Sequence, residues 1–136
     1  MARSVQFEDD DGRVVEYVRH TNGGGLVAPG ARVHESSTVA ASAYVEEGAR
    51  VGARTRVGSG TWVQHDVVIG QDVVVAGNVR LGPRTKVGDR AWIGTGARVG
   101  SDVVIRRGAR VASDAVVPDA AVIPPRSGGS DVGIAA

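Results

Sequence analysis

From Val27 onward a branched aliphatic residue recurs at every sixth position: Val27, Val33, Val39, Val45, Val51, Val57, Val63, Ile69, Val75, Leu81, Val87, Ile93, Val99, Ile105, Val111, Val117 and Ile123. The series has 17 members with no insertion or skip. A period of six belongs neither to a helix nor to a strand. Two residues before each aliphatic stands a small or β-branched residue, from Gly25, Ala31 and Ser37 to Ala109, Ala115 and Ala121. In a strand, residues i and i−2 point to the same side, so each such pair shares an inner face and the residue between them faces out. The chain must then turn before the next aliphatic. Glycine directly follows the aliphatic at 52, 58, 70, 82, 88, 94 and 100, and the third residue after it is Gly, Asn or Asp at 30, 48, 60, 66, 72, 78, 96, 102, 108 and 114. Both positions are expected to supply the positive φ that corners require.

Each hexapeptide therefore predicts one short strand plus a corner, and three sides are the simplest way to close a coil. Seventeen hexapeptides make between five and six coils. At about 4.8 Å per stacked parallel strand, the prism is on the order of 27 Å tall. The fold class is all-β, with each coil resting mainly on its neighbours. Residues 4–20 (SVQFEDDDGRVVEYVRH) read as strand, turn and strand. The expected division is a hairpin cap over residues 1–22, a β-helix over 23–125 and a mobile tail over 126–136. At the C-terminal end Pro118, Pro124 and Pro125 lack amide donors, which weakens the last coil as a template for further pairing.

Every third outward residue shares a face. The first face reads Leu26, Tyr44, Trp62, Arg80, Arg98, Val116; the second Arg32, Arg50, Val68, Lys86, Val104, Val122; the third Thr38, Arg56, Val74, Trp92, Arg110. The apolar strip Leu26–Tyr44–Trp62 is covered either by the strand over residues 14–18 or by another subunit. Outward Val68, Val74, Val104 and Trp92 also suggest burial by a second chain.

Composition narrows the options. Leucine occurs only at Leu26 and Leu81 and aromatic residues are 4%, too little for a helical core of large side chains, whereas valine favours strands. No cysteine is present, so thiol chemistry and disulfides are excluded. Sixteen basic and 15 acidic residues give a net charge of +1, and the arginines form no stripe with aromatic partners, so nucleic acid is not an expected partner. No apolar run approaches a membrane span, and the acidic start MARSVQFEDDDG is unlike a signal peptide; the expectation is a soluble, cytoplasmic protein with no membrane partner.

The sixfold series over Gly25 to about Pro124 resembles the hexapeptide-repeat family with the left-handed parallel β-helix fold. Left-handedness rests on that resemblance alone, since the usual crossover preference is right-handed. The resemblance also implies a homotrimer with parallel axes. VGDRAWIGTGARVGSDVVI (residues 87–105) and VASDAVVPDAAVIPP (residues 111–125) are similar to the C-terminal coils of CoA-dependent acyl- and acetyltransferases in this family. Carried over, Trp92, Gly94, Thr95, Gly96 and Ala112 would line a groove for acetyl-CoA; read from the repeat alone, they are ordinary strand and corner positions. Acyl transfer needs a general base near the acceptor, for which His65 is the candidate ahead of His34 and His20. A His65–Asp66 relay is not expected, because adjacent residues point in different directions. The family's carbonic anhydrase branch binds zinc through closely spaced histidines; His34 and His65 are 31 apart, so no metal site is expected.

No loop interrupts the register from Val27 to Ile123, and such loops supply binding walls in the family. The leading reading is therefore a rigid trimeric scaffold or binding module without a placed catalytic base. The alternative is a CoA-dependent acetyltransferase acting on a hydroxyl or amine at an intersubunit site. An end-to-end polymer is a third reading, disfavoured by the proline-rich end and the charged hairpin.

Overall fold

A computed structural model describes residues 4–8 and 11–126. Within them the chain is a β-solenoid of about five turns with no helix, consistent with a left-handed parallel β-helix of hexapeptide repeats. Each hexapeptide from Leu26 contributes one two-residue strand, and the strands form three walls. The first wall runs β1 (Ser4–Glu8), β2 (Val14–Arg19), β3 (Leu26–Val27), β6 (Tyr44–Val45), β9 (Trp62–Val63), β12 (Arg80–Leu81), β15 (Arg98–Val99) and β18 (Val116–Val117). The second holds β4 (Arg32–Val33), β7 (Arg50–Val51), β10 (Val68–Ile69), β13 (Lys86–Val87), β16 (Val104–Ile105) and β19 (Val122–Ile123). The third holds β5 (Thr38–Val39), β8 (Arg56–Val57), β11 (Val74–Val75), β14 (Trp92–Ile93) and β17 (Arg110–Val111). Helical strands pair in parallel with those 18 residues away, as in Arg80↔Arg98 and Leu81↔Val99, which is the register the outward columns anticipate.

The inner face is aliphatic as expected. From Val39 to Ile123 every series member is buried; Val27 and Val33, in the first coil, are only half-buried because no full coil lies beneath them. Burying one such side chain stabilises the fold by roughly 1.5–3 kcal/mol. Four inward positions carry hydroxyls instead: Ser37, Thr55, Thr61 and Thr85, all fully buried. Their hydroxyls are satisfied between coils. Thr55 Oγ1 donates to Gly70 O at 2.8 Å and accepts from Val73 N at 3.2 Å. Thr85 Oγ1 donates to Gly100 O at 2.8 Å and accepts from Val103 N at 3.3 Å. A buried hydroxyl is tolerated here because it makes both bonds.

The corners correct one expectation. The third residue after the aliphatic does adopt positive φ, and not only where it is Gly, Asn or Asp: Arg54, Arg84, Arg90 and Ala120 take φ of 55–62° as well. The glycine directly after the aliphatic does not. It is small because the next coil stacks on it: a Cβ on Gly52 would lie 2.6 Å from Gly70 O, and one on Gly82 would lie 2.3 Å from Gly100 O. Ser36 and Ser42 are corner residues outside the left-handed set. Their hydroxyls accept from Arg54 N and Gly60 N at 2.9 Å, replacing the carbonyl that serves at other corners, such as Glu47 O for Asp66 N.

The two ends differ. The hairpin extends the first wall in its plane, with β2 antiparallel to β3 (Val18↔Val27, Arg19↔Leu26), so it caps that edge as expected. It covers the apolar strip only in part. Leu26 is 4% exposed and the Tyr17 ring meets Tyr44 edge-on at 5.9 Å, while Trp62 stays 42% exposed. Beneath the third wall, Gly25 N donates to Val39 O and His20 Nε2 to Ser37 O at 2.8 Å. At the C-terminal end two prolines fall at amide-donor positions. Elsewhere each strand sends up two amides, from the residues before and after the aliphatic, as Arg98 N to Ala115 O and Gly100 N to Val117 O. In the last coil the second of these positions is Pro118 above the first wall and Pro124 above the second. Of the tail expected over residues 126–136, all but Arg126 lies outside the described residues.

Placing a carboxylate at Val75, which is 1% exposed, leaves it without a partner in the core. Val75→Asp should abolish cooperative unfolding by circular dichroism, whereas outward Arg56→Asp should change stability by no more than about 0.5 kcal/mol. Equal melting of the two variants would reverse the inward and outward assignments.

Candidate functional site

The corners between the first and second walls carry the richest chemistry. His65 lies there, exposed, with Nδ1 3.1 Å from Asp66 Oδ2. This contradicts the expectation that neighbours would diverge. Asp66 takes φ 60°, and this left-handed turn lets its carboxylate meet the preceding ring. The next coil helps leave Asp66 available. Arg84, stacked above it in the same corner column, is engaged by Asp102 through Nε at 2.9 Å and Nη2 at 3.1 Å. The column thus reads Asp66, Arg84, Asp102, with the arginine paired upward. The hydrogen bond from Arg84 holds the Asp102 carboxyl below the usual carboxylate range, and the Asp102 bond raises Arg84. Between the second and third walls Arg54 and Asp72 form a similar pair at 2.8 Å, and Arg54 lowers Asp72 in the same way.

Beside His65, a polar network crosses from the hairpin to the first wall. Glu46 accepts from the Tyr17 hydroxyl through Oε1 and from Trp62 Nε1 through Oε2, the latter at 2.7 Å. Burial, then the bond to Glu46, raises the Tyr17 pKa. The Arg80 guanidinium lies 5.1 Å above the Trp62 ring. With its amide oxygen turned to Arg80, the buried Gln64 accepts from Nε at 2.6 Å and Nη2 at 3.2 Å. A depression of about 370 Å³ opens between these groups, lined by Tyr17, Ala28, Pro29, Glu46, Glu47, Trp62, Gln64 and His65. Farther up the same edge, Arg80, Arg98, Ser101, Val116 and Asp119 border a second groove of about 550 Å³. Glu46 and Gln64 escaped the sequence reading. They stand directly after Val45 and Val63, in a column 18 residues apart that was visible once corner positions were stacked.

The candidate coenzyme residues lie elsewhere on the prism. Trp92 is on the third wall, and Gly94, Thr95, Gly96 and Ala112 follow on the corners between the third and first walls. They gather along one edge, with the Arg110 guanidinium 4.5 Å over the Trp92 ring. Gly94, Thr95 and Gly96 also serve the stack. Gly94 N donates to Val111 O, Gly96 N to Gly77 O, and Thr95 O accepts from Asp114 N. Within one chain His65 and this set therefore occupy different edges.

The other two histidines have structural partners. His34 Nδ1 lies 2.8 Å from Ser36 Oγ and accepts from Ser36 N at 3.1 Å, while His20 bonds Ser37 O. Among the described residues no group of three or more His, Asp or Glu side chains is placed to hold a metal ion, and no helix is long and apolar enough to cross a membrane.

No family model matches the chain, and no curated protein does. Solved structures similar to it include a hexapeptide transferase family protein from Anaplasma phagocytophilum, at 18% identity, 73% of this chain and 69% of that one, with a TM-score of 0.43. The acetyltransferase domain of PglB from Neisseria gonorrhoeae, in complex with acetyl coenzyme A, gives 22% identity, 74% and 57% coverage and a TM-score of 0.43. PerB from Caulobacter crescentus, in complex with CoA and GDP-perosamine, gives 24% identity, 74% and 56% coverage and a TM-score of 0.44. The chain thus spans little more than half the length of these last two proteins.

The corner ion pairs set a pH dependence. Asp72 and Asp102 titrate lower in the folded chain than the ordinary 3.8. Their stabilising effect is present above that value and is lost as pH falls through their lowered pKa values. Wild type should melt slightly above the Asp72→Asn/Asp102→Asn variant at pH 6, and the gap should close on acidification below 3.8. A gap independent of pH would show that these pairs are not the cause.

Proposed function

We propose that this chain is a rigid, cytoplasmic, homotrimeric β-helical binding module. The observation that carries the reading is a set of outward aliphatics on an uninterrupted prism: Val68 at 40%, Val74 at 37%, Val104 at 36% and Val122 at 53% exposure. Val68, Val104 and Val122 share the second wall, and Val74 stands on the adjoining third. A flat wall with no projecting loop suits close approach of a second copy, and three copies with parallel axes bury two walls each. Light scattering should give three times the 14.0 kDa chain mass. Val104→Glu should lower it to the monomer mass. A wild-type monomer at every concentration overturns the trimer.

A second reading, acetyl transfer from acetyl-CoA to a hydroxyl or amine, is favoured by the His65–Asp66 pair. With Asp66 holding Nδ1–H, Nε2 of His65 can take the acceptor's proton as its oxygen or nitrogen bonds to the acetyl carbon and the carbon–sulfur bond breaks, releasing CoA. Trp92, Gly94, Thr95, Gly96 and Ala112 would line the coenzyme groove. Within one chain their edge and that of His65 are apart, so this reading requires a trimer that brings them together across neighbouring protomers. Millimolar acetyl-CoA should then raise the melting temperature, and His65→Ala should lower turnover on the order of 10²-fold or more while leaving that shift intact. Absence of both effects retires the acetyltransferase and leaves the binding module standing.

A further inference from the structure

The outward column of the first wall sets two arginines one above the other. Arg80 and Arg98 are register partners on the neighbouring strands β12 and β15, and like charges placed directly opposite each other repel. The corner arginines are neutralised: Arg54 holds Asp72 and Arg84 holds Asp102. Arg80 and Arg98 have no carboxylate partner among the described residues. Arg80 is nonetheless fixed in place. Its guanidinium lies over the Trp62 ring, and the buried Gln64, with its amide oxygen turned outward, accepts from Nε and Nη2. A buried amide is thus committed to orienting a surface cation. The Nη1 donors of Arg80 and the fork of Arg98 are left for another acceptor.

Beside the two arginines runs the groove of about 550 Å³. Gly82 and Gly100 line it without side chains, and Pro83, Val116 and Pro118 add apolar surface. Its one carboxylate, Asp119, accepts from Ser101 N through Oδ1 at 2.9 Å. Two arginines against one aspartate leave the lining net positive.

The arrangement selects an anion of particular shape. Adjacent strands stand about 4.8 Å apart, so the two arginines reach one volume from neighbouring coils. A carboxylate presents two coplanar oxygens and matches a single guanidinium fork. A phosphoryl group presents three charged oxygens in a tetrahedron and accepts from two forks at once. The groove is larger than a phosphoryl group alone, and its apolar side has room for a small organic substituent.

We propose that this groove binds a small phosphate monoester, with the phosphoryl group held between Arg80 and Arg98. The site goes beyond both readings given above. It occupies the first wall and the corner leading to the second, whereas Gly94, Thr95, Gly96 and Ala112 lie along the other edge of that wall.

Titration of the full chain with phenyl phosphate tests this, followed by proton–nitrogen correlation NMR. The signals to follow are the Arg80 and Arg98 Nε–H groups and the Gly100 and Ser101 amides. Phenyl phosphate should shift them to saturation, and benzoate at equal ionic strength should not. Arg98→Gln should weaken phenyl phosphate on the order of tenfold or more. Asp119→Asn, which removes the opposing charge and keeps an acceptor for Ser101 N, should tighten it. Both positions are exposed, so both variants should melt close to wild type. Equal affinity of wild type and Arg98→Gln overturns the proposal. A benzoate or chloride response equal to that of phenyl phosphate also overturns it. None of these signals depends on oligomer mass or turnover, so failure here leaves the two earlier readings as they stand.

Discussion

Everything in this molecule depends on one translation: what stands at residue i must tolerate a near copy of itself 18 residues later, one strand spacing above. Backbone bonds, buried hydroxyls, ion pairs and ring contacts all follow that step. Thr55 accepts from Val73, Arg54 meets Asp72, Arg84 meets Asp102, Arg80 covers Trp62 and Arg110 covers Trp92. The same step explains Gly52 and Gly82. Their partners in the coil above, Gly70 and Gly100, leave no volume for a methyl group, whatever φ the residue adopts. A chain built this way gains its core from contacts between coils, so its stability is distributed and its ends are the weak points.

The ends are treated unlike each other. At the N-terminal end the hairpin pairs with the first wall, the stretch before Leu26 bonds to the third, and β4 has no strand beneath it among the described residues. At the other end prolines remove amides above the first and second walls. Two copies stacked head to tail would therefore match a complete edge on one wall with a capped or depleted edge on another. This asymmetry opposes filament growth through strand pairing, and it needs no charge repulsion to do so.

The candidate functional side chains sit on the corners and outward columns, where the repeat constrains them least. His65, Glu46 and Gln64 could be changed without disturbing the aliphatic lining, yet they converge with Tyr17 and Trp62 around one depression. The edge bearing Trp92, Thr95 and Ala112 is separate. The two edges are chemically distinct and lie apart on the prism, so a joint role for them would require the assembly proposed above.

The sixfold spacing was by itself enough to determine the walls, the 18-residue register, the inward and outward columns and the proline-weakened end. Those properties are periodic, and periodicity is written in one dimension. The grouping of Trp92, Gly94, Thr95, Gly96 and Ala112 came from the family resemblance, and the 18-residue register sets Gly94 and Ala112 in one corner column. Only the tertiary structure decided why the post-aliphatic glycines are small, because the obstruction is the backbone of the next coil. Only it brought Tyr17 of the hairpin to Glu46 and Tyr44, since the hairpin lies outside the repeat and its docking has no period to read. The His65–Asp66 contact belongs with these: a left-handed φ at Asp66 turns the carboxylate back to its neighbour, and side-chain direction at a corner depends on that backbone angle rather than on residue order.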